Sequence, residues 1–476
     1  AYCTNNIVQK CLSFAVSLAL MLGMAPGKMT QAATEIPEGR TLSGVDVSGV
    51  TVASSWTDEG KCDQAFYSKI ESEYSSSYNS ADTALEIGTA AELAAFAKFV
   101  NDGVGSGYPD YKNSHGFENK FVCLTDDIDL QGVAPTVDYQ NDGDDGFKVV
   151  LTGAVSNSWV PSSTNSLRFH GTFDGKNHSI SNMVSYFSRN SLGLFGCTYS
   201  AIIQNVGVKN SVVIASYDCA GKIVGYADQT TIQNCYAIGT VYCTTNYYAG
   251  GIVGNARNAV VIKCCYNKGE LFSSLYYTSG SGCCGGICGC CYDNCEVTNC
   301  YSSGMGYAGT PGSNKGLVGA CGESNIISNC YYDKDVAGDI GAVARQDDTE
   351  TVKGLNTDEF EKKVTEMTDE NGDKAWFLAP EVGALPVKKT PRSSDFTFTL
   401  PEDLYYDGQG KVITIKPKDG ITGIGAVTVK YYKVNSDGTL GDASTTPPTD
   451  AGRYKIKFDV AGGTEYYSAT DLPAMF

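Results

Sequence analysis

Three histidines, a run of aspartates and a dense group of cysteines are the residues whose types and spacing could do chemistry in this chain. The aspartates are Asp126, Asp127 and Asp129 in "TDDIDL". A strand there would put Asp127 and Asp129 on one face, the convergence of carboxylates that glycoside cleavage uses. The same residues suit a turn and its cap, because Asp side chains bond their own backbone. Asp174 and His178 in "FDGKNH" have the types of an acid–base pair, and the competing reading is a turn carrying an exposed histidine. "CCGGICGCCYDNC" holds Cys283, Cys284, Cys288, Cys290, Cys291 and Cys295. Cys288 and Cys291 have the two-residue gap of metal thiolates, but no second matched pair accompanies them, and core thiols with incidental disulfides are the simpler reading. "NDGDDG" from Asn141 to Gly146 falls short of a calcium loop because Gly143 stands at a ligand position. With only His115, His170 and His178, the chain has no His-Glu-x-x-His; nor has it a phosphate-binding Gly-x-x-x-x-Gly-Lys-Ser/Thr loop or a Gly-x-Ser-x-Gly elbow. No catalytic, cofactor-binding or metal-binding residue is assigned, and no cofactor is expected.

What must position any such group is a repeat. Gly196, Gly225, Gly254, Gly289 and Gly319 each end a Gly-x-apolar-Gly-like step, at spacings of 29, 29, 35 and 30. A second landmark opens at Asn205, Asn234, Cys264, Asn299 and Asn329, spaced 29, 30, 35 and 30. The two share one period and one insertion, which falls by this reading in the Cys-rich loop near residue 284. A fixed period of about 30 residues is the signature of a solenoid. Each period holds short β-branched pieces such as "TIQNCY", "GTV" and "GGIVG" between Gly, Asn and Ser, so one period reads as one coil of a parallel β-helix. Glycine is expected to turn the corners.

Equivalent residues of successive coils would lie above one another. Cys235, Cys265, Cys300 and Cys330 would form one ladder, and Ile232, Ile262, Val297 and Ile327 another. Buried free thiols are the expectation for Cys235, Cys300 and Cys330. Side chains in register point the same way, whereas a disulfide needs converging Cβ vectors; disulfides or a metal are the competing readings.

Flanking the coils, "GTAAELAAFAKFVNDG" predicts a helix capped by Thr89 with Glu92 as capping-box partner, ended by Gly103, burying Leu93, Phe96, Ala97 and Val100. After the coils, "GLNTDEFEKKVTEM" predicts a short amphipathic helix and then a Trp-bearing segment, a cap over the solenoid end. The linker "KKTPRSSD" leads to a different module. There Tyr454, Ile456, Phe458 and Val460 alternate with polar residues, and Val427, Val429 and Tyr431 make a second strand, as in a small β-sandwich.

A length of 476 residues suggests two or three domains, and 42% hydrophobic residues suffice for sizeable cores. The net charge of −18 comes without any Lys/Arg cluster, which argues against nucleic acid. Residues 1–33 read as an export signal: Lys10 precedes "CLSFAVSLALMLGMA", and the small residues of "TQAA" suit cleavage after Ala32 or Ala33. The apolar run is shorter than the roughly 20 residues of a spanning helix, so no membrane span is expected once it is removed. Its removal leaves 33 basic against 53 acidic residues and 17 of the 19 cysteines, an odd number that cannot all pair internally. The chain does not open on Met, and a longer polypeptide is expected.

Two families are resembled. From about Ala84 to Pro386, "TAAELAAFAKFVNDG", "LTDDIDLQG", "FHGTFDGKNHSISNM", "GGIVGNA" and "IQNCYAIGTV" resemble, in order, the hallmarks of bacterial surface proteins with GLUG repeats. From Phe396, "LYYDGQGK" and "TDAGRYKIKFDVAGG" resemble bacterial Ig-like repeats built around a Tyr-Asp-Gly motif. The departures are Ile287-Cys288-Gly289 and Cys264, which stand where an apolar pair and an Asn are usual. The resemblance implies a mostly β chain: a right-handed parallel β-helix with N- and C-terminal caps over 84–386, preceded by a poorly patterned segment 34–83. A linker 387–395 and an Ig-like β-sandwich over 396–476 follow, on the envelope of a bacterium. Some GLUG-bearing proteins are peptidases, and the missing His pair argues against that chemistry for this stretch. The expectation is an exported, non-enzymatic cell-surface adhesin or ligand-binding scaffold whose partners are glycans or surface proteins. A carbohydrate-active β-helix enzyme, or the non-catalytic part of a larger surface peptidase, is the alternative. Tyr247-Tyr248 and Tyr276-Tyr277 suit either stacking on sugars or packing on neighbouring coils.

Overall fold

The computed structural model describes residues 41–368 and 391–474, except for 106–111, 143–145, 161–166, 188–190, 217–218, 245–247, 275–282, 309–313, 345, 392, 402–407, 420, 422–423, 436–438 and 462–468. The expected export signal, Tyr247, Tyr276, Tyr277, the centre of "NDGDDG", the Trp-bearing segment and most of the linker 387–395 lie outside the described residues. The chain divides into two compact units, Ala1–Glu370 and Asn371–Phe476.

Strand dominates, and in the first unit most strands run parallel in long sheets. The 30-residue period becomes pairing register. Phe195, Val224, Val253, Cys288 and Val318, each one residue before a landmark glycine, are successive partners in one sheet. Ala220, Ala249, Cys284 and Asn314 are partners in a second. Ile203, Ile232, Ile262, Val297 and Ile327 are partners in the largest, which comes close to closing on itself. The first four of that row are fully buried, whereas Ile327 in the last coil is half-buried. Stacking each coil on the last satisfies backbone donors and acceptors along the whole length while apolar side chains fill the middle.

One expectation about the repeat holds only in part and another needs correction. Gly239 and Gly269 turn the chain with φ of 144° and 129°, but Gly225, Gly254, Gly289 and Gly319 do not turn corners through a left-handed backbone. They admit the neighbouring coil: a Cβ on Gly254 would lie 2.6 Å from the carbonyl oxygen of Gly225, and one on Gly289 2.6 Å from that of Gly254. The left-handed corner belongs to the other landmark, with φ of 53° at Asn205, 52° at Asn234, 53° at Cys264, 52° at Asn299 and 49° at Asn329. Asn tolerates this region because its short amide can bond locally. The insertion is also not the Cys-rich stretch. Val241 pairs with Leu271 but Tyr248 with Cys283, so the offset grows from 30 to 35 between Ser273 and Cys283. Cys283–Gly285 and Cys288–Tyr292 are regular strands of an ordinary coil.

The ends of the stack are covered. Helix Ala90–Asn101 has the expected Thr89 and Glu92 capping box. It buries Ala94, Ala95 and Phe99 besides the predicted face, because a second helix, Gln64–Glu73, packs on its other side through Tyr67 and Tyr74 against Phe99. Helix Thr357–Thr365, capped by Asn356, buries Phe360 and Val364 at the far end.

The segment read as poorly patterned contains the strand Thr41–Val52, which pairs with Gly146–Val155, itself paired with Thr136–Asn141. Register shifts after Leu42 and Asp46 break its alternation, so the inward residues Leu42, Val45 and Val50 fall three and five apart and hide from a period-two search. This sheet packs over the stacked rings of Tyr242, Phe272 and Tyr307, whose centroids are 5.0 and 4.9 Å apart.

In the second unit, Phe396–Thr399 pairs antiparallel with Thr414–Pro417. Leu440–Ser444, Val427–Val434, Tyr454–Val460 and Ala469–Pro473 form a separate antiparallel sheet in that order. The predicted alternation holds: Ile456, Phe458 and Val460 are buried, and Phe458 packs edge-on against Phe396.

Candidate functional site

The two motifs weighed for acid–base work come together, but in a different pairing. Strand Thr172–Ser181 turns within itself at Lys176 and Asn177, where φ is 50° and 64°. Asp174 stabilises that turn by accepting from the Lys176 amide at 2.8 Å. The turn swings His178 over the preceding coil, and its Nδ1 lies 3.5 Å from Oδ1 of Asp127. Asp127 Oδ1 also accepts from the amide and hydroxyl of Ser179 at 2.7 and 3.2 Å. The hydrogen bond from His178, opposed by partial burial and aided by the Ser179 amide, holds the Asp127 carboxyl down at about 2. His178 is buried, not the exposed turn residue expected, because Val206 of the next coil pairs beside it.

Asp174 is the first member of two columns of side-chain amides. Its Oδ1 accepts from Asn205 Nδ2 at 2.9 Å, and Asn205 Oδ1 accepts from Asn234 Nδ2 at 2.6 Å. Its Oδ2 accepts from Gln204 Nε2 at 3.0 Å, and Gln204 Oε1 accepts from Gln233 Nε2 at 2.9 Å. Cys264 interrupts the Asn column, which resumes as Asn329 donating to Asn299. Asp129 caps a turn through the Gln131 amide and accepts from Asn182, both at 2.8 Å. His115 is stacked on Phe99 with its Nδ1 2.9 Å from the Phe99 carbonyl, and His170 packs against Tyr199.

The cysteine ladder is present. Cys235, Cys265, Cys300 and Cys330 are fully buried free thiols, each with Sγ directed at the carbonyl two residues earlier at 3.1 to 3.3 Å. Burial pushes the Cys235 and Cys300 thiols well up, so the reactive thiolate is disfavoured. In the Cys-rich coil the free thiols of Cys288 and Cys295 donate to the carbonyls of Cys290 and Tyr292 at 2.9 and 3.0 Å, and burial drives Cys290 up to about 12. Among the described residues no group of three His, Cys, Asp or Glu side chains is placed to hold a metal ion.

Two polar groups that sequence reasoning missed lie inside the stack. Arg168 and Asp228 form a fully buried ion pair at 2.8 Å, with the guanidinium 5.0 Å from the Tyr226 ring. Lys222 is also fully buried, its Nζ 2.8 Å from Oδ1 of Asn267 and 3.5 Å from the Lys268 carbonyl. Its signal was visible: "AGKIVG" carries Lys where "AGGIVG" and "CGGICG" carry Gly. Burial lowers the Lys222 ammonium to about 7, opposed by the charge of Glu270, whose own carboxyl burial raises.

No protein-family model matches the chain, and no curated protein matches it.

Proposed function

We propose that this is an exported, non-enzymatic surface protein. A right-handed parallel β-helix, followed in the chain by an Ig-like β-sandwich, serves as an adhesin or ligand-binding scaffold for glycans or surface proteins. Parallel pairing at one-coil offsets supports the helix, and its hand follows the strong preference of parallel crossovers. Two antiparallel sheets around Phe396, Ile415, Phe458 and Val460 support the sandwich. The resemblance to GLUG-repeat and Ig-like surface proteins, together with the leader-like first 33 residues, supports export. The observation that carries the non-enzymatic reading is the use of Asp174 and Asp129: carboxylates suited to catalysis are engaged in bonds that stack one coil on the next.

The test is paired. The chain without its first 33 residues is offered to a glycan array and, separately, incubated with polysaccharides and immunoglobulin. Saturable binding with every substrate intact is the expected result. Sugar or peptide release that disappears in Asp127→Asn would replace the scaffold with a hydrolase or lyase.

A further inference from the structure

The cover at the far end of the stack leaves out one strand. Ile326–Ser328 pairs with Glu296–Thr298 on one side, and among the described residues no strand pairs with its other edge. The strands beside it in the same coil are both covered. Val318 is bridged to Val343, and the Ala344 amide donates to the Val318 carbonyl at 3.1 Å. Cys330 is paired with Val352, and its amide donates to the Thr351 carbonyl at 2.8 Å. Residue numbers explain the omission. From Val318 to Cys330 is 12 positions (330 minus 318), whereas from Val343 to Val352 is 9 (352 minus 343). The terminal coil is three residues short (12 minus 9), the length of the strand it fails to supply.

The open edge has both polar and apolar groups to satisfy. In the coils behind it the amides of Asn234, Cys264 and Asn299 donate to the next coil, at the carbonyls of Lys263, Thr298 and Ser328. Asn329 holds the equivalent position, and among the described residues its amide meets no such carbonyl. Ile327 is half-buried where Ile232, Ile262 and Val297 are fully buried, and Ile326 beside it is 61% exposed. Strand edges of this kind pair with other chains unless a charge or a proline blocks them, and Ile326–Ser328 has neither. The surrounding charge is negative. Glu296 is the register partner of Ile326, Glu323 is exposed on the approach to the strand, and Asp347 is exposed in the shortened crossing. Neighbouring cations are engaged, Lys315 with the Ile340 carbonyl at 2.8 Å and Lys353 with Glu350 at 3.2 Å, while Lys263 lies two coils behind Ser328.

We propose that this gap is a docking site for an extended basic segment of another protein, which adds as one strand parallel to Ile326–Ser328. Three residues of that segment replace the missing strand. Their backbone accepts from the Asn329 amide, an apolar side chain covers Ile327, and flanking Lys or Arg side chains meet Glu296, Glu323 and Asp347. The net charge of −18 favours the same partner at a distance. The site goes beyond the adhesin reading and stands whether or not glycans bind elsewhere.

Amide exchange and peptide binding on the full chain test it. Without peptide, the Asn329 amide should exchange faster than the equivalent amides of Cys264 and Asn299. A fluorescent peptide of alternating Lys and Val should bind saturably, lose affinity as salt rises and slow exchange at Asn329. A peptide of alternating Glu and Val should not bind. Ile326→Lys should weaken the Lys–Val peptide at least about tenfold at an unchanged melting temperature, because Ile326 is largely exposed. Slow Asn329 exchange in the peptide-free protein overturns the proposal: the edge is then covered by this chain itself or, where protection fades on dilution, by a second copy. Failure of the Lys–Val peptide to bind, equal binding of both peptides, or binding that leaves Asn329 exchange unchanged overturns it as well. These comparisons use the wild-type protein, so they decide the matter even where the variant misfolds.

Discussion

Asn234 donates from Nδ2 to Oδ1 of Asn205, 2.6 Å away and one coil earlier, and both residues sit in the left-handed backbone region. Conformation and hydrogen bond are linked: the corner requires φ near 50°, and the residue that best tolerates it also carries the amide that bonds its equivalents above and below. The column stops at Cys264, which takes the same φ with a side chain that cannot continue it.

Restoring the column should therefore stabilise the protein. Cys264→Asn is expected to gain about 0.5–1.5 kcal/mol, from local backbone preference and hydrogen bonds to the adjoining coils. A rise in the denaturant midpoint at unchanged slope is the readout, and a fall would mean the buried site cannot seat an amide.

The cysteine ladder predicts silent thiols. Native alkylation should leave Cys235, Cys300 and Cys330 unlabelled until the protein unfolds. Cys300→Ala should cost about 1–2 kcal/mol through a small cavity, and Cys300→Ser more because a hydroxyl is buried. A Cys300–Cys330 linked peptide in non-reduced protein would contradict the ladder.

Close coil approach at the landmark glycines predicts a sharp contrast. Gly254→Ala places a methyl 2.6 Å from the Gly225 carbonyl oxygen and should cost about 3 kcal/mol or more, since backbone rather than a movable side chain must give. Gly44→Ala, with nothing within 4 Å, should be nearly silent in the same thermal melt.

Arg168 and Asp228 are each 2% exposed at the side chain, so neither charge can be rescued by water once the other is removed. Asp228→Asn should cost about 3–5 kcal/mol. Replacing the pair together, Arg168→Met with Asp228→Leu, should cost less than that single change. Chemical denaturation of the three proteins closes the cycle.

Asp127 sets an acid limit. Its folded value of about 2 lies below the ordinary Asp value of about 3.9, so its contribution is complete above roughly pH 4 and is lost as pH falls towards 2. The carboxylate is 72% exposed at the side chain, so solvent screens the effect and the shift in melting temperature should be small. Asp127→Asn should melt lower than wild type at about pH 6 and converge with it near pH 2; parallel curves would assign the acid sensitivity to other groups.

Much of the stack was legible in the chain itself. Two landmarks with one period determined which residues pair, because in-register stacking converts a sequence offset directly into a neighbour, as for Ile232, Ile262, Val297 and Ile327. Thr89 and Glu92 likewise determined where a helix begins, since a cap is a local interaction. The tertiary structure decided what locality cannot. It assigned the tight contacts to glycine and the left-handed corner to asparagine, because both depend on the backbone of the next coil. It moved the extra five residues out of the Cys-rich coil, whose strands keep their partners. It paired Asp127 with His178 and brought Lys222 to Asn267, groups 45 residues apart in the second case. A period tells which coil a side chain belongs to; only packing tells which interior neighbour its tip will reach.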